Sequence, residues 1–117
     1  MTAETDLYDA LRNDVDVTAV VGTRIYPDEQ PEDDPKPAIV YTQVSAEAFQ
    51  TVHGTTVGMT TTFAVICMAD SRTQAIDLGT KASAALQGNY IRFVDRNDDF
   101  DPESETHLTV LTVEHDE

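Results

Sequence analysis

The chain has 117 residues, 40% of them apolar, with no Trp, a single Cys, and 22 acidic against seven basic residues for a formal net charge of −15. That length fits one domain, which buries about two-thirds of its unfolded surface. No apolar run approaches the roughly 20 residues of a bilayer span, and one cysteine excludes an internal disulfide. So acidic a surface repels nucleic acid and anionic membrane.

The acidic start, Met1–Ala10, lacks the basic and then apolar run of an export leader, so none is expected. The acids are spread along the whole chain, and lysine is confined to Lys36 and Lys81. Two readings compete: a coat suited to very high salt, where the Debye length drops to ~3 Å at 1 M, or an acidic partner surface. The diffuse distribution favours the salt reading, because a functional patch would be local.

Thr5–Asn13 reads as a short amphipathic helix, with Leu7, Tyr8 and Leu11 inward and Asp6 and Asp9 in the favourable first turn. Asp14 or Asp16 caps a second short turn through Val17, Ala19, Val20 and Val21, stopped by Gly22. Arg24–Tyr26 then extends into Pro27. Residues 28–37 hold three prolines and five acids, with little to pair or bury, and read as a loop.

Ala38–Ala46 alternates as a strand, with Ile39, Tyr41 and Gln43 on one face and Ala38, Val40, Thr42 and Val44 on the other. Residues 47–58, around His53-Gly54, read as a second loop. Gly58–Met68 is the longest strand; Phe63, Val65 and Cys67 face one way, and Ala64, Ile66 and Met68 the other. Both faces are half apolar.

A helix opens behind Ser71, spaced with Gln74 as a capping box, and closes at Gly88. It sets Ala75, Leu78, Ala82 and Ala85 on one side. Gly79 at its centre costs up to ~1 kcal/mol against alanine, and close approach to a sheet is its expected return. Tyr90–Arg96 is a strand with Ile91 and Phe93 inward, Asn97–Glu105 an acidic turn, and Thr106–Glu114 a last strand carrying Leu108, Val110, Leu111 and Val113. Residues 115–117 are expected to fray.

Short links favour hairpins. The expected fold is α+β, one domain over 1–117, with a small, mainly antiparallel sheet of about four strands. One long helix and a short N-terminal helix pack on one of its faces.

No residue set carries chemistry. Neither a GxxxxGK phosphate loop nor a GxSxG elbow occurs. His53, His107 and His115 fall in a turn, a strand and the tail, and are expected to be exposed or at a strand edge. Cys67 is expected to be a buried reduced thiol. Asn97, Asp99 and Asp101 begin like a calcium loop, but Pro102 replaces the required glycine and Leu108 the bidentate glutamate. Glu114, His115 and Asp116 sit at a terminus where a site is not expected. No catalytic, cofactor-binding or metal-binding residue is therefore expected, and no cofactor. Five arginines without a basic stripe do not make a nucleic-acid reader.

Four stretches stand in a familiar order. Val20-Val21-Gly22-Thr23-Arg24-Ile25-Tyr26-Pro27 follows the first helix, and Pro37-Ala38-Ile39-Val40-Tyr41 opens the first long strand. Cys67-Met68-Ala69-Asp70-Ser71 leads into a helix ending Ala84-Ala85-Leu86, and Asp101-Pro102-Glu103 precedes the last strand. From about Leu7 to Val113 the chain resembles the tail-completion proteins of long-tailed phages, also called tail-terminator or head–tail joining proteins.

The resemblance implies a non-enzymatic virion subunit that forms a ring, usually of six, at the junction of neck and tail tube. It implies partners in its own copies, the tail tube protein and a neck or stopper protein, with DNA passing through unbound and no membrane. The acidity departs from the family and points to a virus of a salt-adapted host. Alternatives are another neck or minor tail component, or a free acidic module that binds a basic partner or mimics nucleic acid.

Half-apolar sheet faces agree with burial against neighbouring copies. A cyclic ring uses heterologous interfaces, so the edges of Met59–Met68 or Thr106–Glu114 are expected to add to a neighbour's sheet. The 28–36 and 47–58 loops are expected to touch adjacent rings.

Overall fold

Two short helices open the chain because their apolar residues fall one turn apart, the second behind a local cap at Asp14. A computed structural model describes residues 3–28, 37–50, 56–87, 91–103 and 105–116. In α1 (Ala3–Arg12), Leu7 and Leu11 are fully buried at i, i+4 spacing. In α2 (Val15–Val21), the Asp14 carboxylate accepts the Val17 N–H at 3.0 Å, and Val17 and Val21 turn inward. Gly22 ends α2 with φ +61°, its N–H donating to the Thr18 carbonyl. The third helix, α3 (Arg72–Leu86), starts at Ser71, whose hydroxyl accepts the Gln74 N–H at 3.2 Å.

The strands are β1 (Ile25–Pro27), β2 (Ala38–Gln50), β3 (Thr56–Ala69), β4 (Ile91–Asp101) and β5 (Thr106–Asp116). They form one sheet in the order β1-β2-β3-β5-β4. Only the β1–β2 pair is parallel. The fold is α+β as expected, and the short extension into Pro27 pairs with β2 as the fifth strand of the sheet.

All three helices pack on the sheet face that carries Ile39, Tyr41, Phe63, Val65, Leu111 and Val113, and this layer is the core. Cys67 lies in it, fully buried. Rows of paired residues cross the sheet at fixed levels. One runs Gln43–Phe63–Val113–Phe93, and another Ala46–Thr61–His115–Ile91.

Four expectations need correction. Residues 47–58 are not a loop throughout: β2 runs to Gln50 and β3 starts at Thr56, with Ala48 opposite Met59. The ladder supplies backbone partners that the weak alternation around Glu47 did not advertise; 51–55, with His53 and Gly54, lie outside the described residues. The acidic stretch Asn97–Asp101 is strand, paired with β5 from Val110 to Thr106, and the turn begins at Pro102. Its aspartates are tolerated because β4 is an edge strand whose side chains reach water. Phe93 is on the core face opposite Val113 yet 46% exposed, because no described helix covers that corner. The tail does not fray at His115: β5 continues to Asp116, which pairs with Thr60. The expected end of α3 at Gly88 lies outside the described residues, and the helix runs to Leu86.

Candidate functional site

The opposite face of the sheet has no helix on it among the described residues. Its rows include Ala38–Met68–Leu108–Asp99 and Tyr26–Val40–Ile66–Val110–Asn97. Ala64, Ile66, Met68, Leu108 and Val110 are half-buried, so an apolar strip crosses the middle of the bare face. The strip runs into buried Ala38 and Val40 on the β2 side and into Asn97 and Asp99 on the β4 side. A half-buried apolar strip with no described helix over it is a candidate interaction surface.

The sheet edges are the second exposed feature, and here the expectation was wrong. Met59–Met68 lies in β3 and Thr106–Glu114 in β5, and both strands are interior, flanked on each side over Thr60–Met68 and His107–His115. The edge strands are β4 on one side and the three-residue β1 on the other, beyond which no described strand covers the rest of β2. β1 covers β2 only from Ile39 to Tyr41. Asp28, at φ +66°, then stops the pairing: its N–H donates to the Tyr41 carbonyl, and its carboxylate accepts the Thr42 hydroxyl at 3.0 Å.

Elsewhere the polar groups serve the fold. His115, expected in an exposed tail, is only 3% exposed; its Nε2 lies 2.9 Å from the Asp6 carboxylate, clipping α1 to the end of β5. Its Nδ1 is buried with no hydrogen-bond partner. His115 shares the parity of Leu111 and Val113, and that alternation was the signal that could have placed it inward. His107 is half-buried and packs on Phe100, ring centroids 4.7 Å apart.

The expected burial of Cys67 holds, and burial pushes its thiol up to about 12, with Arg96 pulling the other way. Burial also raises the Tyr41 phenol, helped by the charges of Glu4, then Tyr8 and Asp28.

One cleft of about 340 Å³ lies between the start of α3 and the far end of the β4–β5 hairpin, walled by Arg72, Ile76, Asp98, Phe100 and His107. Asp98 there accepts the Thr109 hydroxyl at 2.9 Å. The calcium-like Asn97, Asp99 and Asp101 project from one strand at alternate positions. Among the described residues no three His, Cys, Asp or Glu side chains group closely enough to hold a metal ion, and no helix is long and apolar enough to cross a membrane.

Among the described residues the fold is a small α+β layer with one helix-packed face, a half-buried apolar strip on the other face and uncovered lengths of β2 and β4 at its edges, a form suited to a building-block protein. Its sequence matches the family model described as "Tail completion protein gp17" over residues 5–115, and the chain belongs to that family. It is thus a structural component of a virion's tail or neck. No curated protein sequence matches it. Among solved structures it is similar to a chain of the "Virion of native gene transfer agent (GTA) particle", with a TM-score of 0.75 and 18% identity. That match covers 97% of this chain and 92% of the other, and it supports the fold.

Proposed function

We propose that this chain forms a ring at the junction of neck and tail tube, ends tube growth there and joins the tube to the neck so that DNA can pass. The observation that carries this is the bare sheet face. Ile66, Met68, Leu108 and Val110 are half-buried with no described helix over them, and such a strip gains stability when another protein removes the rest of it from water. Family membership supplies the context in which such burial takes place.

The partners are its own copies, six in the expected ring, with the tail tube protein on one side and a neck or stopper protein on the other. Residues 28–36 and the β2–β3 hairpin reach adjacent rings. No reaction, cofactor or membrane is involved. The carboxylate coat keeps the subunit soluble in the concentrated salt of a halophilic host, where repulsion between like charges is confined to a few ångströms. Any acidic residues lining the channel then ease DNA past only at very short range.

Electron microscopy of virions assembled without this product tests the proposal. Overgrown tails and unjoined capsids are expected, and tails of normal length attached to capsids overturn it. Light scattering in high salt separates the acidic-module alternative, which predicts a lasting monomer that captures basic proteins.

A further inference from the structure

Resting on the ring reading, we infer that neighbouring copies join by an antiparallel strand pair between Ile91–Val94 of β4 in one copy and Val44–Glu47 of β2 in the next. Three independent features of the sheet point to this one junction.

The first is direction. β2, β3, β5 and β4 alternate along the sheet, every neighbouring pair antiparallel. β4 therefore runs opposite to β2. A second copy placed edge to edge meets β4 with an antiparallel β2, and the sheet continues without breaking its alternation.

The second is level. β2 carries a bulge between Gln43 and Ser45, leaving Val44 as its extra residue, and β4 a bulge between Phe93 and Asp95, leaving Val94 as its extra residue. These bulges stand at opposite ends of the single row Gln43–Phe63–Val113–Phe93. Val44 is 61% exposed and Val94 50%. Charge is one of the devices that guard an edge strand, and at both of these positions the residue is valine instead.

The third is where charge and cover fall. The half of β4 from Asp95 to Asp101 carries four aspartates, and it lies at the level of Ala38–Thr42, where β1 already occupies the β2 edge. The acid-free half, Ile91–Val94, lies level with Val44–Ala46, where no described strand covers β2. Among the described residues no strand lies outside Ile91–Val94, so the acid-free half of β4 matches the uncovered part of β2, and the guarded half matches the covered part. Pairing of β4 with a second β4 sets aspartates against each other, and opposed like charges destabilise a ladder. Main-chain bonds fix the register of the heterologous junction, and Val44, Phe93 and Val94 supply the apolar surface.

The test uses Val44→Asp and Val94→Asp, each on an exposed position, with Val15→Asp on α2 as the control. Masses are read by native mass spectrometry and light scattering in high salt, and folding by circular dichroism. The wild type and Val15→Asp are expected as closed oligomers, and each edge variant as a folded monomer. An equimolar mixture of the two edge variants is expected to give dimers and no ring, because each supplies the intact half that the other lacks. Closed oligomers from either edge variant, or no dimer in the mixture, overturn this interface while the ring stands. A wild type that stays monomeric, alone and on tail-tube ends, overturns the ring and the junction with it.

Discussion

Gly79 and Thr109 lie so close that any side chain at position 79 would force a shift: a β-carbon there would stand 2.5 Å from the Thr109 methyl and 3.1 Å from its Cβ. This contact is how α3 lies down on β5. Gly79→Ala is therefore expected to destabilise the chain by about 1–3 kcal/mol through overpacking, although alanine is the better helix former by up to ~1 kcal/mol. Thr109→Ser removes the methyl and keeps the hydroxyl that donates to Asp98, so Gly79→Ala with Thr109→Ser should recover part of the loss. Urea midpoints of the single and double variants check this; an unchanged or raised midpoint for Gly79→Ala refutes the close-approach account.

The Asp6–His115 pair tests whether α1 is held by a polar clip. Removing the carboxylate with Asp6→Ala leaves both nitrogens of a buried imidazole without a partner, and a loss of about 1–3 kcal/mol is expected. Asp6→Leu with His115→Leu removes both polar groups and should fall nearer to wild type than either single change. A double-mutant cycle showing no coupling disproves the clip.

Gly79 was readable as a close-approach residue because a mid-helix glycine is costly, and the cap at Ser71 was readable because its acceptor side chain precedes apolar helical spacing, whereas Asp14 was one of two candidates with Asp16. The strands were legible where alternation was strong, as in β3 and the first half of β2. They were illegible where partners alone impose the strand: Asp95–Asp101 looks like a turn until β5 lies beside it. The bare face was half legible, since both parities of β3 are apolar. The free edges were not, because strand order follows from crossing over β5, and no local pattern records that.

Cys67 gives a pH dependence with a definite sign. Burial raises its folded-state value from 9.0 to about 12, so the unfolded chain releases the thiol proton first. Its contribution is fully present below pH 9 and is lost as the pH rises toward 12. Cys67→Ala should lower stability at neutral pH through the lost packing, yet decline less steeply over that alkaline window. The same burial predicts that a thiol reagent labels the folded chain only on unfolding. Prompt stoichiometric labelling under native conditions contradicts it.

The last expectation concerns the coat. At a formal charge of −15 the folded chain concentrates like charges that the unfolded chain separates, so self-repulsion opposes folding. Screening shortens the reach of that repulsion from ~10 Å at 0.1 M salt to ~3 Å at 1 M. The thermal midpoint should therefore climb between those concentrations, and climb with sodium chloride as well as with the strongly excluded sulfate, since screening needs only ionic strength. Replacing Asp98 and Asp99 with Asn and Asp101 with Ser thins the charge on the β4 edge and should flatten the climb. The same substitutions strip the guard from that half of the edge, so they should also add open-ended association beyond any closed oligomer the parent forms. A midpoint indifferent to salt would remove the acidic coat from the account of how this protein is held together in brine.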